Sequence, residues 1–144
     1  MPALEAPVHL VQDPSEVTID ELANLYESVG FGRREHYIHV PNLIEKLFCR
    51  GVYGFFAYAE NRLVGMTRVF SDDQSCAWIA EICVHPDWQR RGVGRALVDR
   101  ANKRFSHTAL YCEALEDSVD FLIKMGIKPK AKLVACSRAP LKKN

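Results

Sequence analysis

The chain has 144 residues, close to the ~150 expected of one domain, so it reads as a single domain over 1–144 rather than a large multidomain enzyme. Hydrophobic residues make up 48% and charged residues 26%, a globular balance that excludes an intrinsically disordered chain. Lys plus Arg number 19 and Asp plus Glu 18, a formal charge of +1. Without a basic excess, nucleic-acid binding is not expected.

No repeat, low-complexity tract or linker divides the chain. The run Met1–Leu10 lacks a basic segment followed by an apolar one, so no signal peptide is expected. The longest apolar stretch, Phe55–Ala59, is too short to span a bilayer. Val8–Gln12 reads as a short first strand. Thr18-Ile19-Asp20-Glu21 has the pattern of a capping box opening a helix. Ile19, Leu22, Leu25, Tyr26 and Val29 keep a helical period until Gly30 ends it. Pro41 opens a second short helix, with Leu43, Ile44, Leu47 and Phe48 on one side and a stop at Gly51.

Tyr53–Ala59 and Arg62–Phe70 read as two strands joined by a turn at Glu60-Asn61. After a turn at Asp72-Asp73, Ser75–Val84 reads as a third strand. Strict alternation sets Cys76, Trp78, Ala80, Ile82 and Val84 against Ala77, Ile79, Glu81 and Cys83. His85-Pro86-Asp87 breaks it. A helix follows over about Arg91–Phe105, with Val93, Leu97, Val98, Ala101 and Phe105 inward. Then come a strand at Ala109–Glu113, a helix over Asp117–Met125 ended by Gly126, and a last strand at Lys130–Ser137. The tail Leu141–Asn144 is expected to be disordered. The order β-α-α-β-β-β-α-β-α-β implies an α+β fold, a mixed sheet covered by helices. The five cysteines, at 49, 76, 83, 112 and 136, are odd in number and form no C-x-x-C pair. They read as free thiols of a reducing, cytoplasmic compartment, and neither a disulfide framework nor a metal site is expected.

The informative stretch is Ile82 to Leu97, I-C-V-H-P-D-W-Q-R-R-G-V-G-R-A-L. A strand ends, a polar loop follows, and two glycines with arginines start an amphipathic helix. Backbone N–H groups at a helix N-terminus, with the positive end of its dipole, form an anion site. Glycines allow close approach of the backbone, and Arg90 and Arg91 add charge. The ligand expected is a phosphate or pyrophosphate. A dinucleotide fingerprint needs a third glycine at Leu97, and a P-loop needs Gly-Lys-Ser/Thr where Gly94-Arg95-Ala96 stands. Both fail.

The pattern Q-R-R-G-V-G after I-C-V-H-P resembles motif A of the GNAT family of N-acetyltransferases, Gln/Arg-x-x-Gly-x-Gly/Ala. V-H-P-D-W before it and A-L-V-D-R after it strengthen the likeness. E-L-A-N-L-Y-E-S-V-G-F-G, L-V-G-M-T-R-V-F-S-D-D and F-L-I-K-M-G-I extend it over most of the chain. The resemblance implies a GNAT-like fold and acetyl-CoA as co-substrate, with no metal. It places the cofactor against Gln89, Arg90, Arg91, Gly92, Val93, Gly94 and Arg95, against the main chain of Ile82, Cys83 and Val84, and beside Asp117. It also implies a splay between the strand holding Val84 and the strand at Ala109–Glu113, where the pantetheine arm adds like another strand.

Transfer to an amine by direct attack in a ternary complex needs a neutral amine, a donor for the thioester oxygen and departure of thiolate. Glu81 is the first candidate base: burial in an apolar strand would raise its pKa, the alternative role being a salt bridge to Arg68. Glu113 is the second candidate. The family's usual acid, a tyrosine in F-Y-x-x-x-G, is matched by Leu122, and Tyr111 is the candidate substitute. The acceptor pocket is expected from Tyr26, Phe31, Gly32 and Arg68. The expected partner is a small-molecule or peptide amine, without nucleic acid or membrane; a homodimer is left open. A non-catalytic acyl-CoA-binding module of the same fold is the competing reading.

Overall fold

The structure, a computed structural model, describes residues 7–142. The expectations for residues 1–6 and for Lys143 and Asn144 lie outside the described residues.

The chain opens with strand β1 (His9–Val11). Helix α1 (Ile19–Ser28) starts at Thr18, whose hydroxyl accepts from the Glu21 N–H while the Glu21 carboxylate accepts from the Thr18 N–H, the expected capping box. Gly30, left-handed at φ 80°, ends it. A short helix α2 (Glu35–Ile38), not expected from the sequence, precedes α3 (Leu43–Leu47). The meander is as read: β2 (Val52–Ala59), β3 (Arg62–Ser71) and β4 (Cys76–Val84). Helix α4 (Val93–Arg104) crosses to β5 (Ala109–Cys112), and α5 (Val119–Lys124) follows.

The sheet order is β1-β2-β3-β4-β5. Neighbours run antiparallel except β4 and β5, which are parallel, so the sheet is mixed. Helix α4 covers one face over a core of Phe55, Val64, Val69, Ile79, Val93, Leu97 and Phe105. On the other face α1, α2 and α3 cover Leu22, Leu25, Tyr26, Phe56, Met66 and Cys83.

Two expectations fail. The segment Lys130–Ser137 forms no strand; it is exposed throughout, and β5 has no further strand beside it among the described residues. A strand exists only with a hydrogen-bonded partner, and Lys130 and Lys132 favour solvent. The strict alternation of β4 also breaks. Arg68 pairs with Glu81 but Val69 pairs with Ile79, so Ala80 is an extra, bulged residue. Before the bulge Ala77 and Ile79 face α4; after it Ile82 and Val84 do, and Glu81 and Cys83 turn to the α1 face.

Candidate active site

The bulge has a second consequence. β4 and β5 pair only through Cys76↔Ala109 to Ile79↔Cys112. Beyond that point β5 ends while β4 runs on to Val84, so the β5-facing main chain of Ala80–Val84 has no strand beside it. A cleft of about 1060 Å³ opens there. One wall is Ile79–Ile82 and Val84, the opposite wall Cys112–Leu115, and helix α5 lines it with Phe121 and Leu122, followed by its C-cap Met125.

The loop at Gln89–Arg95 forms one end. Gln89, Arg90, Arg91, Gly92, Gly94 and Arg95 line the cleft. The chain enters α4 through left-handed Arg90 (φ 59°) and Gly92 (φ 85°), the helix cap. The first helical bond runs from the Ala96 N–H to the Gly92 carbonyl at 3.0 Å. The N–H groups of Val93, Gly94 and Arg95 therefore have no partner inside the helix and carry its positive dipole end. The loop is braced from within: the Gln89 amide donates to the Val84 carbonyl at 3.0 Å, and the Arg91 guanidinium lies 4.1 Å from the centre of the buried Trp88 ring. Gly94 faces Phe121 and Val84, each of which a Cβ there would meet at an ordinary contact distance of 3.7 Å. Phe121 was not singled out from the sequence; the helical motif F-L-I-K-M-G-I was the available signal. The side chains of Cys83 and Val93 are buried in the two cores, so only their main chain can meet a ligand.

Glu81 lies on the same cleft wall. It is not an isolated buried carboxyl. Its Oε2 accepts from the Tyr26 hydroxyl at 2.7 Å and its Oε1 from Arg68 Nη2 at 2.6 Å. Tyr26 is 3% exposed, and the Arg68 and Glu81 side chains 16% and 18%. Burial, then the charge of Glu81, pushes the Tyr26 hydroxyl above its ordinary pKa, so it stays a proton donor. Burial and then Glu81 also push the Cys83 thiol up to about 12, which removes it as a nucleophile near neutral pH.

The remaining candidates divide. Phe31, exposed, and Glu113, exposed, both line the cleft, as does Asp117. Gly32 (φ 108°) shapes the loop beside Tyr37 and is not among the lining residues. Tyr26 and Arg68, expected to bind the acceptor, both donate to Glu81 and lie outside the cleft lining. Tyr111, the candidate acid, is placed apart from the other candidates. It pairs with Trp78 across β4–β5, stacks on that indole at 5.7 Å and lies outside the cleft lining, because its strand position turns it away from Cys112. Leu122 is buried at 4% and lines the cleft where the family pattern has tyrosine. Among the described residues no group of three or more His, Cys, Asp or Glu is placed to hold a metal ion, and no helix is long and apolar enough to cross a membrane.

These features agree with known proteins. The model of the acetyltransferase (GNAT) family matches residues 18–126. An uncharacterized N-acetyltransferase, ycf52, of Gracilaria tenuistipitata var. liui is 31% identical over 96 residues, 65% of this chain and 50% of that protein; the chain thus spans about half that relative's length. A GNAT-family acetyltransferase from Streptococcus pneumoniae TIGR4 superposes with a TM-score of 0.75 at 19% identity, covering 94% of this chain and all of that one. An aminoglycoside acetyltransferase from an uncultured soil metagenomic sample gives 0.70 at 23% identity, covering 94% and 97%. At these identities the structural likeness shows the α+β fold alone. With the family match over most of its length, the cleft and the loop at Gln89–Arg95, the chain belongs to the acetyltransferase (GNAT) family.

Proposed function

We propose that this protein is an N-acetyltransferase that moves the acetyl group of acetyl-CoA to a primary amine by direct attack in a ternary complex. The observation that carries this reading is one cleft joining an unpaired strand edge, a cationic helix N-terminus and a fixed carboxylate.

The residues fit acetyl-CoA. The free N–H groups of Val93, Gly94 and Arg95, with the side chains of Arg90, Arg91 and Arg95, suit a pyrophosphate. Gln89 holds the loop to the end of β4, and Asp117 sits on the cleft wall carried by the turn before α5. The main chain at Ile82–Val84 on the side away from β3, apart from the Val84 carbonyl that Gln89 engages, suits the amide-bearing pantetheine arm. When bound, acetyl-CoA supplies a thioester carbonyl as the electrophile and a thiolate as the leaving group. Glu81 takes the proton that the amine loses, directly or through one water. Glu113, at the exposed side of the same cleft, is the second acceptor of protons. Phe31, exposed beside Glu81, is the acceptor-facing aromatic residue. No tyrosine is among the cleft-lining residues. Thiolate then leaves without a tyrosine acid, as a thiol pKa near ~8.5 permits.

An acceptor panel with acetyl-CoA, read by free-thiol release, tests this. The panel includes an aminoglycoside, in view of the aminoglycoside acetyltransferase of like fold, together with polyamines and peptides with free N-termini. Thiol release that depends on one amine class is the expected result. If acetyl-CoA raises the melting temperature but no amine releases thiol, the binding-module reading, favoured by Leu122, replaces this one.

A further inference from the structure

We propose that Tyr26 and Arg68 are positioning residues that fix the Glu81 carboxylate toward the cleft, and are not contacts of the acceptor. This inference rests on the reading of Glu81 as the base.

The three side chains come from three elements: α1, β3 and β4. Arg68 and Glu81 are direct cross-strand partners at the edge of the Ala80 bulge. Each carboxylate oxygen has one donor, at 2.7 Å from Tyr26 and 2.6 Å from Arg68. A carboxylate offers about four lone-pair sites, so two filled sites fix the group and leave capacity for an amine proton or a water. Neither Tyr26 nor Arg68 lines the cleft that Glu81 and Phe31 share.

Arg68 is itself committed. Its Nη1 lies 3.4 Å from the Leu47 carbonyl, and its guanidinium carbon 5.3 Å from the centre of the Phe70 ring. Its Nε is buried with no hydrogen-bond partner among the described residues. The 2.6 Å contact with Glu81 is the shortest and the charge-assisted one of these, so the carboxylate and the guanidinium orient each other. Tyr26 packs between Phe31 and Tyr37, with ring centroids at 6.0 and 5.1 Å, and its carbonyl accepts the Phe31 N–H at 2.9 Å. One residue therefore sets both the carboxylate and the loop that carries Phe31 to the cleft. A glutamate without these donors would spread over several rotamers, and loss of alignment at a reacting group is costly.

A double-mutant cycle distinguishes positioning from substrate contact. Tyr26→Phe, which keeps the ring and its packing, is expected to lower kcat by about 10-fold with the acceptor KM within about 2-fold. Arg68→Met is expected to cost more, and Arg68→Lys to recover part of it by restoring the charge. In a Glu81→Gln background, itself reduced by about 100-fold, Tyr26→Phe should add no further loss. A crystal structure of Tyr26→Phe should show the Glu81 carboxylate displaced, a readout independent of turnover. Acceptor KM rising at constant kcat, losses that multiply in the Glu81→Gln background, or an unmoved Glu81 would overturn the proposal. Wild-type kcat in Glu81→Gln alone would instead remove the base reading on which it rests. Should Arg68→Met not fold, Tyr26→Phe and Arg68→Lys carry the test, with melting temperature as the check on folding.

Discussion

At Gly92 the backbone is left-handed and the unpartnered N–H groups of α4 begin one residue later. Gly92 lines the cleft, so a carboxylate carried there would repel an anion held by the loop. Gly92→Asp is expected to weaken acetyl-CoA binding by at least about 10-fold, by calorimetry, while the fold persists, since aspartate tolerates this conformation better than most residues. Unchanged affinity in a folded variant would mean that the loop does not hold the coenzyme. Tyr111 makes the opposite case. Because it stacks on Trp78 outside the cleft, Tyr111→Phe is expected to leave kcat within about 2-fold and acetyl-CoA affinity unchanged. A large fall in kcat would show that the hydroxyl reaches the sulfur after all.

Among the elements, the crossing of β3 by α4 is a tight joint beside the loop at Gln89–Arg95. A Cβ on Gly65 would stand 2.7 Å from Val93 Cγ1, 3.1 Å from Leu97 Cδ1 and 3.2 Å from the Cys83 carbonyl. Those three atoms belong to the first two turns of α4 and to the C-terminal end of β4. Gly65 thus sets how near the helix N-terminus lies to the splayed strand. Gly65→Ala is expected to destabilise by about 1–3 kcal/mol, as overpacking does, and to weaken acetyl-CoA binding as well, because α4 must move away from β4. Denaturant unfolding and calorimetry measure the two effects. Stability lost with affinity intact would show that the helix yields elsewhere. Of these elements, α1 was readable with its cap, since Thr18 and Glu21 are local signals. The bulge at Ala80 was not, because the register of β4 is set by β3 rather than by its own residues.

For the whole molecule, the turn between β3 and β4 links stability to pH. The Asp72 carboxylate accepts from the Ser75 hydroxyl at 2.5 Å and from the N–H groups of Gln74, Ser75 and Cys76 at 3.0, 2.9 and 3.1 Å. These bonds, the Ser75 hydroxyl first, hold its pKa well below the ordinary 3.8. A group whose folded pKa is depressed stabilises fully above its unfolded value and loses that contribution as pH falls through the folded one. Asp72→Asn is therefore expected to lower the urea midpoint at pH 7. The gap from wild type should narrow only once the pH drops below about 4. A gap that stays constant down to pH 2 would refute the assignment.

The sequence by itself determined the local features: the capped start of α1 and its stop at Gly30, the meander, the glycine- and arginine-bearing loop at Gln89–Arg95 and the family to which they belong. Each depends on residues within a few positions of one another, where capping, turn chemistry and side-chain period act. Glu81 was legible as a polar residue in an apolar strand, but its partners were not. Tyr26 and Arg68 stand 55 and 13 residues away in the chain, and only the packing of α1 on the sheet and the register of β3 against β4 bring them to one carboxylate. The fate of Lys130–Ser137 and the direction of Tyr111 were likewise tertiary decisions. A strand needs a partner, and a side chain's face depends on where its strand pairs, and neither is written in the residues themselves.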